Sequence, residues 1–496
     1  MAERRYDTII RGGQVIDGTG APAKRADVAV SDGRIAAIGQ IEGEAERVID
    51  AAGLVVAPGF IDVHSHDDVA LINTPGLDFK AAQGVTTVVC GNCGAGAAPA
   101  NERLHEFYGR GLEGILGPID DFAWQSLGEF YQAVQAAQPA LNAAFLVPHG
   151  VLRVTAMGWE RRAPSDDELA TMKAHLDEGM AAGAVGLSSG LMYRPGAYAE
   201  TEELIELARV AAQYGGLYVS HIRNEGNGLL DSVREAIRIG EEGGTPVQIS
   251  HHKASGRANW GLTEESLALI DEARERGVDV TIDAYPYTAA STALAALVVR
   301  GRLVPDLEPN DILIASVKYQ HEYEGKRLDE VAEMMDLPVD EAIQRLLREE
   351  ENTVVAVMFI MEEGDVRRVL QYSECMIGSD GIPSPTGRPH PRLYGTFPRV
   401  LGHYVRDEGL LSLEEAVRRM TSLPASKFRL ADRGEVREGA WADLTVFDPK
   451  EIADTATYDD PRQYPRGIAY VLVNGQVIVD NGAPEAPPAG QFLNRS

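Results

Sequence analysis

The chain has 496 residues, 44% of them hydrophobic, which exceeds what one compact core usually holds, so we expect one large domain and one smaller one. Its formal charge of -29 argues against nucleic acids and anionic membranes as partners, because no basic stretch is available to neutralise phosphates. Three cysteines make no disulfide framework, no apolar run could span a membrane, and the start lacks a signal-peptide core, so we expect a cytoplasmic protein.

The two ends of the chain share the alternating apolar and polar pattern of short β-strands. Residues 1–57 alternate around glycine-bearing turns, which suit hairpins of antiparallel strands. Residues 430–482 repeat the pattern in GAWADLTVFDP and GIAYVLVNGQVIVDNG. Neither piece could bury a core alone, so we predict one small β-sandwich domain built from both termini. The proline-rich residues 483–496 are predicted to be a C-terminal tail.

Between these ends, over residues 58–429, apolar strands alternate with helices, as is typical of βα units around a parallel sheet. The eight candidate strands are VVAPGFIDVH, GVTTVVCGN, NAAFLVPHG, GAVGLSSGL, GLYVSH, PVQISHH, VDVTIDAYPY and CMIGSD. Eight such strands predict an α/β fold with a (β/α)8 TIM barrel. A doubly wound open sheet is the alternative, but no glycine-rich phosphate loop follows the first strand.

One segment, at about residues 294–358, interrupts the βα repeat before the eighth strand. It contains RGRLVPDLEPNDILIASVKY and the helical stretch LDEVAEMMDLPVDEAIQRLLREE. We predict a lid-like insertion at the catalytic end of the barrel. A peripheral helical excursion is the equally weighted alternative.

Metal-binding residue types lie at the predicted strand ends, which converge on one face of a parallel barrel. Five of these ends carry them: His64, His66, Cys93, His221, His251 and Asp380. His64 and His66 are two residues apart and therefore share a face of their strand. A lone histidine at a strand end is more often a hydrogen-bonded neighbour, but this convergence predicts a metal site. Imidazole, thiolate and carboxylate together favour zinc or a close relative.

Where two candidate metal ligands are close together in the sequence, their positions indicate which one is preferred. His251 and His252 face opposite sides of their strand, and His251 is preferred because Lys253 then shares its face. Cys90 would need a second cysteine pair to form a four-cysteine zinc site, so we expect it to be a buried small hydrophobic residue. His149, at the end of the third strand, either lines the pocket or caps the barrel, and the sequence favours neither.

Six motifs closely resemble the D-aminoacylase (N-acyl-D-amino-acid deacylase) branch of the amidohydrolase superfamily over nearly the whole chain: HSHDD, GNCG, GLSSGLMYRPG, SHIRNEG, SHHKASG and SDGIPSPTGRPHPRLYGTFPR. Many amidohydrolases bridge two metals with a carboxylated lysine on strand four. Strand four here, GAVGLSSGL, has no lysine, and the resemblance implies that the Cys93 thiolate takes that place. It further implies one tight zinc site on Cys93, His221 and His251. A second, weaker or optional site is implied for His64, His66 and Asp380.

The resemblance also implies hydrolysis of N-acyl-D-amino acids to a carboxylate and the free D-amino acid. Asp380 is expected to take the proton of the attacking water and pass it to the departing amine. Tyr193, in the loop after strand four, resembles a tyrosine that donates a hydrogen bond to the developing oxyanion. A packed aromatic at a turn is the alternative for Tyr193. The preference for D over L substrates comes only from the resemblance.

A free amino acid product requires recognition of a carboxylate, and Lys253, Arg392 and Tyr285 resemble the residues that hold it. Nearby Arg388 and Tyr287 are alternatives for the last two. The amino acid side chain is expected to be neutral and mainly apolar, such as leucine, methionine or phenylalanine, because residues 285–299 carry no charge. Arg300 lies just beyond and keeps N-acyl-D-glutamate open as a substrate.

Two other functions remain as alternatives. One is hydrolysis of a cyclic amide, as in hydantoinases and dihydroorotases, against which the missing strand-four lysine and the GNCG motif argue. The other is a scaffold barrel without activity, which would be expected to lose metal ligands, whereas all six candidates are present here. The expected partner is a small-molecule substrate, and the oligomeric state cannot be inferred from the sequence.

Overall fold

The computed structural model describes residues 5–305, 307–384 and 386–495. Its first strands are β1 (Arg5–Val15), β2 (Lys24–Ser31), β3 (Arg34–Gly39), β4 (Glu44–Asp50) and β5 (Val55–Pro58). Strands β1, β2 and β3 pair antiparallel, as the hairpin prediction requires. The hairpin prediction is wrong for β4, which runs parallel to β1, and β5, predicted as part of the first barrel strand, also pairs in parallel with β1. On the edge of β1 opposite β2, β4 pairs with the first half of the strand and β5 pairs with its last two residues.

Seven parallel strands follow: β6 (Phe60–Asp62), β7 (Val85–Cys90), β8 (Asn142–Pro148), β9 (Gly186–Gly190), β10 (Leu217–His221), β11 (Val247–Ile249) and β12 (Val280–Ala284). The first predicted barrel strand is divided at Gly59, so that β5 joins the terminal sheet and β6 joins the barrel. Gly59 passes so close to Thr86 that a Cβ there would lie 2.2 Å from its Oγ1. Only glycine, which has no Cβ, fits where the chain passes Thr86.

The interrupting segment contains β13 (Ala290–Ala293), β14 (Val298–Val299), β15 (Arg302–Leu303), β16 (Ile312–Ser316) and β17 (Val355–Met358). Strands β13, β17 and β16 form an antiparallel sheet, and β14 and β15 form a separate hairpin. The segment is therefore a mixed structure, in which Leu313, Val355 and Val357 share a small hydrophobic cluster with Ala289 and Ile382 outside it.

The eighth barrel strand, β18 (Cys375–Ile377), pairs in parallel with β12. The ring is nearly closed, because an isolated bridge joins Ser65 to Gly381 and the Asp380 N–H donates to the His64 carbonyl at 2.7 Å. The predicted (β/α)8 barrel is confirmed, with its eight strands in the expected order.

Four strands complete the terminal sheet: β19 (Leu444–Phe447), β20 (Ile468–Val473), β21 (Gln476–Asp480) and β22 (Ala483–Pro484). Strand β19 pairs antiparallel with β5, so strands from both termini form one nine-stranded sheet. Val28, Val56, Leu444 and Leu472 share one core, which shows that the two halves of this sheet pack together. Beyond β22 the chain returns to the barrel, where the Leu493 N–H donates to the Ala143 carbonyl at 2.8 Å.

The α-helices of the described residues are α1 (Ala70–Asn73), α2 (Asp78–Ala81), α3 (Glu102–Gly111), α4 (Glu113–Leu116), α5 (Leu127–Ala136), α6 (His149–Met157), α7 (Asp166–Ala181), α8 (Thr201–Gln213), α9 (Leu229–Gly243), α10 (Thr263–Glu275), α11 (Leu328–Met334), α12 (Val339–Glu349), α13 (Glu363–Gln371), α14 (Arg392–Arg399), α15 (Leu413–Met420) and α16 (Ser422–Lys427). None of these helices combines the length and apolar character needed to cross a membrane.

Candidate metal centre

Three histidines surround the thiol of Cys93 at the C-terminal end of the barrel. The Cys93 Sγ lies 3.3 Å from His64 Nε2, 3.7 Å from His221 Nδ1 and 3.6 Å from His251 Nε2. All four side chains are buried. They lie at or just after the ends of four barrel strands, which the parallel arrangement brings to one face.

The remaining two candidates extend the cluster on the side of His64. His66 Nε2 lies 3.2 Å from Asp380 Oδ1, and His64 Nε2 lies 3.5 Å from the same oxygen. The ligand atoms of His64, His66 and Asp380 all lie within 4.8 Å of one another. The six predicted residues therefore form two adjoining groups, with His64 between them.

The donor types and the sulfur–nitrogen distances fit zinc. A tetrahedral ion with a Zn–S bond of ~2.3 Å and a Zn–N bond of ~2.0 Å separates sulfur from nitrogen by about 3.6 Å. The distances from Cys93 Sγ to His221 and His251 have this value. Burial alone would raise the pKa of the thiol, but His64, His221 and His251 hold this pKa well below its ordinary value. Cys93 is thus poised as a thiolate, which is the form that binds metals.

The backbone is strained at three of the six residues. Cys93, His251 and Asp380 have φ angles of 55°, 34° and 50°, in a region that non-glycine residues seldom adopt. Such strain costs of order 1–3 kcal/mol per residue and concentrates at functional sites. Close packing fixes the Cys93 turn, since a Cβ on Gly91 would lie 2.3 Å from the Leu146 carbonyl oxygen. The GNCG motif is required by this packing.

Glu225 is a functional candidate that the sequence interpretation missed. Its Oε1 lies 2.9 Å from His251 Nδ1 and 2.5 Å from Lys253 Nζ, in a half-buried position after β10. Burial would raise the pKa of this carboxyl, but Lys253, His221 and His251 lower it well below the ordinary value. A carboxylate on Nδ1 directs the Nε2 of His251 toward Cys93. Glu225 was hidden in the polar loop IRNEG, where its type alone predicts surface exposure.

Asp283 is a second missed residue and connects the two groups. Its Oδ1 accepts a hydrogen bond from the His251 N–H at 2.8 Å and lies 3.3 Å from His64 Nδ1. Gln248 donates to its other oxygen at 2.7 Å. Asp283 thus fixes the backbone of one candidate ligand and the ring of another.

A buried ion pair holds the junction between β6 and β18. Lys80 Nζ lies 2.5 Å from Asp62 Oδ2 and 2.6 Å from Ser379 Oγ, and all three residues are fully buried. Asp62 Oδ1 accepts hydrogen bonds from the backbone N–H groups of His64 and Ser379. The side chain of Asp62 therefore sets the distance between the strands that carry His64 and Asp380.

The three residues predicted to bind a substrate carboxylate are buried behind the metal cluster. The guanidinium of Arg392 lies 3.0 Å from Asp380 Oδ2 and 4.5 Å from the ring of Tyr285, over which Lys253 Nζ also lies at 5.8 Å. Nη1 of Arg392 makes this ion pair, whereas its Nε is buried and has no hydrogen-bond partner among the described residues. Of the two alternatives, Arg388 is exposed beside Gly325. Tyr287 packs on His390 and Arg399.

A cavity of about 1120 Å³ opens in front of the cluster. His66, Cys93, Tyr193 and Asp380 all line it. The hydroxyl of Tyr193 lies 3.0 Å from Thr292 Oγ1, and its ring packs on His221 at a centroid distance of 4.7 Å. Tyr193 is therefore next to a candidate metal ligand and faces open volume.

His149, His252 and Cys90 take structural positions. His149 is buried with its Nε2 2.7 Å from Glu203, and the cavity lining does not include it. His252 packs away from the cluster with its Nε2 2.8 Å from Ser266 Oγ. Cys90 is fully buried, as expected.

Comparison with known proteins places these residues in a family context. Residues 47–479 match the amidohydrolase family. The chain is 44% identical to the N-acyl-D-glutamate deacylase of Alcaligenes xylosoxydans xylosoxydans, over 99% of this chain and 97% of that protein. A crystal structure of the N-acyl-D-glutamate deacylase of Bordetella bronchiseptica, complexed with zinc and a phosphonate that mimics the tetrahedral intermediate, superposes with a TM-score of 0.90 at 43% identity. It covers 99% of this chain and 100% of that one. A D-aminoacylase structure, described by one-metal activation and second-metal attenuation of a binuclear centre, gives the same TM-score, identity and coverage.

Proposed function

The chain belongs to the amidohydrolase family, and on that premise we propose that it hydrolyses N-acyl-D-amino acids with zinc as its metal. The products are a carboxylate and the free D-amino acid. The carrying observation is the convergence of His221 and His251 on Cys93, which lines the cavity, with the buried cation Arg392 paired to Asp380. The names of the related N-acyl-D-glutamate deacylase and D-aminoacylase support the D configuration.

Zinc would be held tightly by Cys93, His221 and His251, and a second, weaker site would use His64, His66 and Asp380. When bound, zinc polarises the amide carbonyl and promotes ionisation of water. The description of the related D-aminoacylase by one-metal activation and second-metal attenuation supports an unequal pair of sites.

Asp380 acts as the general base and then as the general acid. Burial would raise the pKa of its carboxyl, but Arg392, His64 and His66 hold this pKa well below the ordinary value. The ionised carboxylate can therefore accept the proton of the attacking water. It then delivers that proton to the amide nitrogen as the C–N bond breaks, because a protonated amine leaves more easily. The Tyr193 hydroxyl, which faces the cavity, donates a hydrogen bond to the developing oxyanion.

The amino acid carboxylate binds to Arg392, Lys253 and Tyr285 in this proposal. The unpartnered Nε of Arg392 supports the role, because a buried donor without a partner is costly. We propose a neutral, mainly apolar side chain, since Ala295, Ala296 and Val298 bring no charge to the cavity. Arg300 lines the same cavity, so N-acyl-D-glutamate stays an alternative substrate.

We also propose a cytoplasmic location. All three cysteines are free thiols, and the Cys93 thiolate requires a reducing compartment to stay available for metal. The barrel with its inserted segment and terminal sheet would act there on a small-molecule substrate.

The test is amine release from matched N-acetyl-D-methionine and N-acetyl-L-methionine with zinc-loaded protein. We expect turnover of the D form alone. Turnover of the L form at an equal rate would contradict the stereochemical part of the proposal. Turnover of neither, with zinc still bound, would favour a cyclic amide or N-acyl-D-glutamate as substrate.

A further inference from the structure

The cavity in front of the metal centre is much larger than an N-acetyl amino acid. Its volume is about 1120 Å³. Pockets that bury a drug-sized ligand measure about 300–1000 Å³, and N-acetyl-D-methionine, with about a dozen non-hydrogen atoms, is smaller than such a ligand. An acetylated substrate would therefore leave much of this volume unfilled.

The unfilled volume lies on the acyl side of the scissile bond, an assignment that rests on the proposed function. Cys93 and Asp380 form the floor of the cavity, whereas Lys253 and Arg392 do not line it. A substrate whose carboxylate points inward to Lys253 and Arg392, with its amide at the floor, directs its acyl group outward. The amino acid side chain shares this outer space but extends from the inner half of the substrate.

The outer wall of the cavity carries exposed apolar side chains. Trp159 is 48% exposed and Val299 is 47% exposed, and both line the cavity. Phe107 lies behind Trp159 in a T-shaped contact with a centroid distance of 4.6 Å. Val299 belongs to the β14–β15 hairpin of the inserted segment, so two distant parts of the chain contribute to one apolar wall. Exposed apolar surface inside a cavity marks a site for an apolar ligand group.

Five arginines also surround the cavity: Arg110, Arg161, Arg162, Arg194 and Arg300. Two of them are already paired, Arg110 with Glu106 at 3.4 Å and Arg162 with Glu168 at 2.6 Å. In a chain with a formal charge of -29, cations at the entrance attract the single carboxylate that every N-acyl amino acid carries. This carboxylate is enough to explain the arginines, so their presence does not indicate a second negative charge on the acyl group.

We propose that the preferred substrates carry a large apolar acyl group, either a medium-length aliphatic chain or an aromatic one, which packs against Trp159 and Val299. The reaction is unchanged: the amide C–N bond breaks, the hydroxyl of water joins the acyl carbon, and its proton goes to the amine. Trp159 and Val299 are specificity-determining residues in this assignment.

The experiment compares kcat/KM for N-acetyl-, N-hexanoyl- and N-octanoyl-D-methionine in the zinc-loaded protein. Each buried methylene contributes about fourfold, so even partial burial of the chain raises the octanoyl-to-acetyl ratio more than tenfold. We expect this ratio to fall about tenfold in Trp159→Ala and severalfold in Val299→Ala. Met334→Ala is the matched control, because Met334 is 50% exposed outside the cavity, and it should leave the ratio unchanged.

An octanoyl-to-acetyl ratio near one would overturn the inference and leave the proposed function intact. A ratio that Trp159→Ala and Val299→Ala both leave unchanged would overturn the assigned wall. Faster hydrolysis of N-succinyl-D-methionine than of the octanoyl compound would overturn the apolar acyl group in favour of an anionic one. Turnover of no D-substrate at all would overturn the proposed function, and this inference with it.

Discussion

The two groups of the metal cluster are supported in different ways. Cys93, His221 and His251 follow strands β7, β10 and β11, which lie inside a continuous hydrogen-bonded ladder. His64 and Asp380 follow the first and last strands of the barrel, β6 and β18, which meet only at an isolated bridge. The first group is thus positioned by the sheet itself. The second depends on side chains that hold the barrel closed, which is a structural reason for a weaker second site.

Removing one residue from each group gives the largest contrast. Cys93→Ala should lose the tight zinc and nearly all turnover, because two imidazoles alone bind zinc less well than a full set. Asp380→Asn should keep that zinc but lower kcat by about 10²–10⁴-fold, since it removes the general base. Metal analysis after dialysis and amine release from N-acetyl-D-methionine measure the two effects. Substantial activity in zinc-loaded Asp380→Asn would remove Asp380 from this role.

Breaking the ion pair between Lys80 and Asp62 at the barrel junction should weaken metal binding by the second group (His64, His66 and Asp380) and not by the first. Lys80→Met leaves the buried carboxylates of Asp62 and Asp67 without their cation, and breaking a buried pair typically costs about 3–5 kcal/mol of stability. Adding Asp62→Asn removes one of these two unpaired charges and should recover part of this loss. Urea midpoints report the stability, and titration of the protein with a second equivalent of zinc reports the weak site.

Lys173→Met is the matched control for this pair. Lys173 pairs with Glu206 at 2.6 Å, but both side chains are about one-third exposed, so the loss should stay below about 1 kcal/mol. If Lys80→Met weakened the two zinc sites equally, the junction would not be specific to the second group.

The barrel and the location of its cluster were predictable because parallel strands align their ends. An alternation of apolar runs with helices identifies such strands, and HSH places two rings on one face, so His64, His66 and His221 could be brought together without coordinates. The division at Gly59 was not predictable, because VVAPGFIDVH is apolar on both sides of the break. The parallel pairing of β4 and β5 with β1 was also missed, because turn residues indicate how consecutive strands pair but not which strands distant in the chain lie side by side.

The supporting charges were not predictable for a different reason. Asp62, Lys80 and Glu225 are charged residue types that normally indicate exposure to solvent. Only the fold shows that each lies against an opposite charge, with Asp62 and Lys80 fully buried and Glu225 half-buried. Arg392 was expected to face a substrate, and the structure adds that it contacts Asp380. Contacts between residues so far apart in the chain follow from closure of the barrel, which local patterns do not encode.

Glu225→Gln tests the support of the first group (Cys93, His221 and His251), and its expected effect on zinc affinity is the smallest of these predictions. The amide keeps the shape of the side chain but no longer gives His251 Nδ1 and Lys253 Nζ a shared negative charge. Loss of a carboxylate behind a zinc-bound histidine typically weakens metal binding about 10–100-fold. Competition with a chelator should show this loss at the tight site, while Glu206→Gln, on the exposed face of α8, should bind zinc as the parent does. An unchanged affinity in Glu225→Gln would mean that the β-ladder and Asp283 position His251 without help from Glu225.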